Sequence, residues 1–518
     1  MTALLADIPL EPAGVPRGRA MVERAEWAAL SFASYDIDSV RRIAKAAAEA
    51  GESLAADLAT SAVEETGYGV PEHKRLKNVA CSIGIWNTYG EDDYVSPVVR
   101  ADAGIVEIPR PAGVVLALTP STNPVATVFF KIMMALLTRN AIIISPHPYS
   151  KRVCAEAARA MADAAVAAGA PDGCIQVVDE PSIPLINALM TDERVDVIVA
   201  TGGSAMVRAA YRSGNPAIGV GPGNVPVLVD ATADLSAAAR RIVGSKSFDN
   251  SILCTNESVL IVEEAAADPL IAALRREGGH VLSREDVDRV RELLFPAGVF
   301  DTAWVGKSAR EIAEAAGVTV PGSTRVLVAP FDLVVPEEML AHEKLCPVLG
   351  MVTVPSAARG VDAARAVLRI AGAGHSAAIH SEDPATVMAF AAAVPVLRVA
   401  VNVGNSLGSA GIETNLAPTM TIGTGFFGRS AVGENLEPKH LVNVARIAYP
   451  RDAVVPDFSH LHPWQEPSGP VPPYPVPSNA EGAPSLVPTP SALPEAEQEL
   501  REEIRRLVVE ELRQIIKG

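Results

Sequence analysis

The sequence predicts an α/β protein built in two successive halves, and three features carry that prediction. Between Gly113 and about Asp230, short apolar runs alternate with helical segments, the signature of parallel strands joined by crossover helices. The same alternation begins afresh over 231–420. A chain of 518 residues, 49% of them hydrophobic, also exceeds one simple core, so two or three domains are expected.

Residues 20–80 read as helices. The Ala-rich stretch Ser39 to Ala62 carries apolar residues at three- and four-residue spacing, with Gly51 as the expected interruption. Residues 94–110 switch to strand chemistry: Tyr94, Val95, Val98 and Val99, then Ile105, Val106 and Ile108 after a Gly-containing turn. In the first half Val114 to Leu118, Ala141 to Ile144, Ile175 to Val178 and Val195 to Ala200 are predicted strands. Helices are predicted around Phe129 to Leu137 and over Lys151 to Ala167. In the second half Asp234 to about Phe248 and Asp286 to Leu294 read as helices and Ser258 to Val262 as a strand, with further units from Arg325 to about Val403.

The end of the chain differs in kind. Proline is dense from Pro463 to Pro494, which predicts an extended tether without a core. Glu495 to Lys517 then reads as one helix, in which Leu500, Ile504, Leu507, Val508, Leu512, Ile515 and Ile516 form a continuous apolar stripe.

The net charge of −17 argues against a nucleic-acid or anionic-membrane surface, because both need clustered Lys and Arg. No run approaches the roughly 18 apolar residues of a membrane span. The first 30 residues contain Asp7, Glu11, Glu23 and Glu26 and no continuous apolar block, so no secretory signal is expected. The five cysteines (Cys81, Cys154, Cys174, Cys254 and Cys346) are scattered and show no metal-ligand spacing. A soluble protein of the reducing cytoplasm, without a metal, is the expectation.

Five segments carry candidate chemistry. Phe248-Asp249-Asn250-Ser251-Ile252-Leu253-Cys254-Thr255 places a thiol in a loop between a helix and a strand; such a cysteine is a nucleophile only where its surroundings favour thiolate, and is otherwise structural. Thr119-Pro120-Ser121-Thr122-Asn123-Pro124 sets an amide between strand and helix. There it donates to an oxyanion or satisfies its own turn. Thr201-Gly202-Gly203-Ser204 suits a dinucleotide phosphate at a helix N-terminus, though Gly-Gly loops are common. In Gly219-Val220-Gly221-Pro222-Gly223-Asn224-Val225-Pro226 close packing explains the glycines as well as a ligand does. His342-Glu343-Lys344-Leu345-Cys346-Pro347-Val348 reads equally as a solvated charged loop.

Taken together and in this order, with Thr138-Arg139-Asn140-Ala141-Ile142-Ile143-Ile144-Ser145-Pro146-His147-Pro148, these segments resemble the aldehyde dehydrogenase superfamily, over roughly residues 20–455. More narrowly the chain resembles the coenzyme A-acylating branch, including the aldehyde dehydrogenases of bacterial microcompartments. The resemblance implies a Rossmann-type cofactor domain, an α/β catalytic domain and a β-hairpin oligomerisation arm. It divides the chain into an N-terminal extension (1–19), an NAD-binding domain (20–229, with the hairpin about 94–110), a catalytic domain (230–425), a return segment (426–462), the Pro-rich linker (463–494) and the amphipathic helix (495–518).

The resemblance implies Cys254 as nucleophile and Asn123 as oxyanion donor. It places Glu343 on the nicotinamide ribose, Thr201, Gly202, Gly203 and Ser204 beside the pyrophosphate, and Ser145, Pro146 and His147 at the adenosine ribose. Thr119, Pro120 and Gly221 are expected around the cofactor, which is NAD on family grounds, with coenzyme A as co-substrate. One departure bears on chemistry. Aligning Gly223 and Pro226 with the Glu-Leu-Gly-Gly-Lys motif of hydrolytic relatives puts Val220 where their water-activating Glu stands, and valine takes no proton. Acyl transfer of a small aldehyde to coenzyme A is therefore expected. Phosphate-dependent semialdehyde dehydrogenases, hydrolytic aldehyde dehydrogenases and a docking scaffold are the competing readings. The resemblance further implies a homo-oligomer, dimer or tetramer, and residues 495–517 resemble an encapsulation peptide for microcompartment shell proteins. That peptide would place the enzyme in the microcompartment lumen, and self-packing of the helix is the alternative.

Overall fold

The computed structural model describes residues 12, 14–458, 461 and 463–465. Most of the predicted tether and the whole C-terminal helix lie outside the described residues. The chain opens with helices α1 (Val15–Phe32), α2 (Ile37–Ser53), α3 (Ala55–Thr66), α4 (Pro71–Cys81) and α5 (Ile83–Tyr89). Helix α1 starts within the stretch expected as an extension, with a proline in its first turn, where a missing N–H removes nothing. Asp36 caps α2 by accepting from the Ser39 N–H. The break between α2 and α3 falls at Leu54, not at Gly51. Gly51 lies inside α2, where the absence of a side chain lets Ser82 and Phe129 pack against it.

A small antiparallel sheet follows, made of β1 (Val98–Arg100), β2 (Ile105–Pro111) and the distant β15 (Val442–Ala448). β15 pairs with the full length of β2, from Val442 opposite Pro111 to Ala448 opposite Ile105. Tyr94 and Val95 do not join it, because the Asp93 carboxylate accepts from the Val95 and Ser96 N–H groups and turns the chain.

The first α/β half comprises β3 (Val114–Thr119), α6 (Pro124–Leu137), β4 (Ala141–Pro146), α7 (Lys151–Ala167), β5 (Ile175–Val177), α8 (Ile183–Thr191), β6 (Val197–Thr201), α9 (Ser204–Arg212) and β7 (Ala217–Val220). Its strands form a parallel sheet in the order β5-β4-β3-β6-β7. That is the Rossmann-type winding, with the direction of winding reversing between β3 and β6. Every residue of β3, β4 and α6 is buried, which is why these segments read as continuous apolar runs.

The second half contains β8 (Val225–Val229), α10 (Leu235–Ser247), β9 (Glu257–Glu263), α11 (Glu264–Arg276), β10 (Gly279–Val281), α12 (Arg284–Leu294), α13 (Ala309–Ala315), β11 (Val326–Pro330), β12 (Val348–Val354), α14 (Ala357–Ile370), β13 (Ala377–His380), α15 (Pro384–Ala393), β14 (Val399–Val401) and α16 (Asn405–Gly408). Its parallel sheet runs β10-β11-β12-β9-β8-β13-β14. Alternate residues feed two cores: Leu228, Val259 and Ile261 on one face, Val227, Val229, Leu260 and Val262 on the other. β8 pairs with β9 and β13, so the second sheet begins at Val225, before the expected division at 229/230. Pro226 has no N–H for this central ladder, and the pairing shifts register between Val225 and Pro226. The return segment reaches the first half through Leu436 and Leu441, which join its core. Trp464 then donates to the Val95 carbonyl at 2.9 Å and lies over the Arg139 guanidinium.

Gly51→Ala tests the helix packing. Alanine is favoured over glycine in a helix by about 1 kcal/mol, but here its Cβ would lie 2.9 Å from that of Ser82. Overpacking of about 1–3 kcal/mol is expected to win. The melting temperature should fall, and an unchanged or higher value would contradict the packing described.

Candidate active site

A cleft of about 400 Å³ opens at the carboxyl ends of β3 and β6, where the sheet reverses its winding. Cys254, Asn123, Thr119, Pro120, Ser145, Pro146, His147, Thr201, Gly202, Gly203, Gly221 and Glu343 all line it. Ser204 does not; it is the first residue of α9, one step beyond the lining.

Cys254 is delivered by an unusual loop. After α10, Asp249, Asn250 and Ser251 take consecutive positive φ angles of 48°, 52° and 65°. Each such residue costs on the order of 1–3 kcal/mol and needs external support. Asn250 Nδ2 donates to the Gly306 carbonyl at 2.8 Å, and Ser251 Oγ donates to Asn256 Oδ1 at 2.8 Å. Asn256 Nδ2 in turn donates to the Leu253 carbonyl at 2.7 Å. Asp249 accepts from the Val70 N–H at 2.6 Å and from the ammonium groups of Lys74 and Lys77. Burial raises its carboxyl, but Lys77 and Lys74 outweigh that and hold it below the usual range. On the other side, a side chain at position 223 would overlap the Cys254 carbonyl oxygen, so Gly223 is required there.

Cys254 is partly exposed, unlike the other four cysteines, which are buried. Burial of its surroundings and the Glu343 carboxylate push its thiol up to about 12, against the opposing pull of Arg398 and Lys77. In the ligand-free cleft the neutral thiol is therefore favoured over thiolate.

Asn123 precedes α6, and its carbonyl accepts from Thr127 Oγ1 at 2.6 Å. Its side-chain Oδ1 accepts from Lys77 Nζ, while Nδ2 has only a long contact of 3.4 Å to Thr122 Oγ1. The amide NH₂ thus remains available to an oxygen in the cleft. Glu343 Oε1 accepts from the Gly223 N–H at 3.1 Å; burial pushes its carboxyl up to about 8, with Lys246 and Lys344 opposing. Glu343 is the sole carboxylate among the lining residues, and the apolar Val220 ends β7 on the same wall.

The far end fits a dinucleotide. Space is open above Gly203 and Gly221, and the N-terminus of α9 lacks a side-chain cap, leaving its N–H groups for an anion. Ser145 Oγ is buried without a hydrogen-bond partner. Residues the sequence did not single out complete the surroundings. They are Lys74 and Lys77 of α4, and the buried His375, whose Nε2 has no partner and whose ring lies beside Gly223. Nothing local in the sequence distinguishes them. Among the described residues no cluster of three His, Cys, Asp or Glu side chains is placed to hold a metal ion.

Alkylation of the ligand-free protein by iodoacetamide should accelerate about tenfold per pH unit, without a plateau up to about pH 10, because thiolate is the reactive form. A plateau near neutrality would contradict the neutral thiol described above.

Comparison with known proteins agrees with this geometry. Residues 13–288 match the aldehyde dehydrogenase family. The chain is 38% identical over 435 residues to a bifunctional aldehyde-alcohol dehydrogenase of Escherichia coli strain K12, covering 83% of this chain and 49% of that protein. It thus spans about half the length of that relative. It is 36% identical over 444 residues to an acetylating succinate-semialdehyde dehydrogenase of Clostridium kluyveri, covering 85% of this chain and 98% of the relative. The crystal structure of an acetylating aldehyde dehydrogenase from Geobacillus thermoglucosidasius superimposes with a TM-score of 0.83 at 36% identity, covering 84% and 97% of the two chains. A propionaldehyde dehydrogenase from the fucose-utilisation microcompartment of Clostridium phytofermentans gives a TM-score of 0.76 at 26% identity, covering 85% and 98%. Family match, relatives and fold agree, and the chain belongs to the aldehyde dehydrogenase family.

Proposed function

We propose that this protein oxidises a small aldehyde to its acyl-CoA, using NAD and coenzyme A, through a thioester on Cys254. The observation that carries the reading is the composition of the cleft: a thiol and an amide donor share it with one carboxylate, and that carboxylate is engaged by the Gly223 N–H. No second carboxylate lines the cleft to generate hydroxide, and Val220 stands on its wall. The acetylating relatives support the same chemistry.

In this cycle the Cys254 proton passes to solvent water, the sulfur bonds to the aldehyde carbon, and the C=O π pair moves onto the oxygen, which gathers negative charge. The Asn123 NH₂ and the Cys254 backbone N–H donate to that oxygen. Bound NAD would supply the hydride acceptor; once hydride has left the same carbon, a thioester on Cys254 remains. Val220 and its apolar neighbours keep that ester from activated water. The thiolate of coenzyme A then attacks the carbonyl carbon, and the Cys254 sulfur departs as thiolate. Thr201, Gly202, Gly203 and Ser204 are assigned to the pyrophosphate, Ser145, Pro146 and His147 to the adenosine ribose, and Glu343 to the nicotinamide ribose. Thr119, Pro120 and Gly221 complete the cofactor's walls.

We further assign the protein to the lumen of a bacterial microcompartment, as a homo-oligomer joined through the sheet of β1, β2 and β15. The apolar stripe of residues 495–517 supports shell docking, and the microcompartment neighbour is consistent with it.

Cys254→Ala should abolish NADH formation while leaving the melting temperature unchanged, and substantial turnover would overturn the assignment. Assays of short aldehydes with NAD and either coenzyme A or phosphate should give acyl-CoA alone; acyl phosphate or free acid as the main product would overturn acyl transfer to coenzyme A. Deleting residues 466–518 should leave kinetics within about twofold and should abolish co-purification with shell proteins. Retained co-purification would refute the docking role.

A further inference from the structure

Helix α4 places two lysines where a surface helix would carry solvated charges, yet Lys74 and Lys77 are 3% and 1% exposed while Leu76 between them is 54% exposed. The charged face therefore points inward. Lys77 Nζ donates to two acceptors at once: Asn123 Oδ1, on the loop after β3, and Asp249 Oδ2, in the left-handed loop that leads to Cys254. Lys74 Nζ repeats the bridge one turn earlier, reaching Thr122 O and Asp249 Oδ2, each at 3.2 Å. The connection is sealed by Gly69, at φ +80°, where any Cβ would overlap Asp249 Oδ1.

Two consequences follow from the chemistry of an ammonium. It only donates, so its partner on Asn123 must be the carbonyl oxygen; this fixes the amide orientation and turns the NH₂ toward the cleft. It also carries charge, so an ammonium at Lys77 sets positive charge directly behind the Asn123 amide.

We propose that Lys77 is a positioning residue for the reaction. It orients the Asn123 amide as an oxyanion donor, and the Asp249 carboxylate holds its ammonium in place for that task. The proposal rests on the assignment of Asn123 as that donor.

The test is a double-mutant cycle on the full chain, with steady-state oxidation of propionaldehyde by NAD and coenzyme A. Lys77→Met should lower kcat about 100-fold, the scale of losing one oxyanion donor, with little change in KM for aldehyde or NAD. Lys77→Arg, which keeps the charge and the donor, should recover most of that loss. The combined Asn123→Ala and Lys77→Met variant should be no slower than Asn123→Ala alone, because Lys77 acts through that amide. A merely structural lysine would lower the two rates independently, so multiplying losses would overturn the proposal, as would wild-type kcat in Lys77→Met. If Lys77→Met does not fold, Lys77→Arg decides alone: a rate as low as that of Asn123→Ala overturns the proposal. Wild-type kcat in Asn123→Ala would instead remove the oxyanion assignment itself, and with it the role of Lys77.

Discussion

The carboxylate of Asp249 sits where three parts of the chain meet: the loop before α4, helix α4 itself, and the turn that carries Cys254. It is fully buried and held between two ammonium groups. Removing one partner of such a group leaves an uncompensated charge in a medium of low polarity, at about 3–5 kcal/mol. That penalty makes the arrangement nearly all-or-none. The three left-handed residues beside it persist because the surrounding bonds over-determine them.

The site is thus assembled from opposite directions. The first sheet offers loops at the end where its winding reverses, and the second sheet brings one strained turn to face them. Helix α4 belongs to neither sheet and connects to both. The remaining cleft is short of charge, which suits a reaction whose critical species is a transient oxyanion: an environment with few mobile dipoles and fixed donors needs little rearrangement as charge develops.

Much of this was legible in the sequence. Continuous apolar runs gave β3, β4 and β9 because both faces of a parallel sheet are covered, and the ordered loop motifs located twelve residues of the cleft. β7 and β8 escaped because the glycines of 219–226 disguise two strands as one loop. Lys74 and Lys77 escaped for a different reason. A helix with charges at three-residue spacing reads as solvated on that face, and only the sequence-distant partners Asn123 and Asp249 reverse it. Val95 was misread because its burial comes from a turn closed by Asp93, which leaves the same apolar mark as a strand. Ser204 fell outside the cleft by one residue, at the margin where a loop becomes a helix.

The contact between Gly223 and the Cys254 carbonyl carries a lesson for anyone recombining such enzymes. The stretch between the last strand of one sheet and the first strand of the next is where modular chimaeras are ordinarily joined, on the premise that connectors are inert. Here the connector packs against the backbone of the nucleophile residue. Grafting a foreign cofactor half onto this catalytic half would succeed only if the junction lay upstream of Val220, carrying the native seam intact.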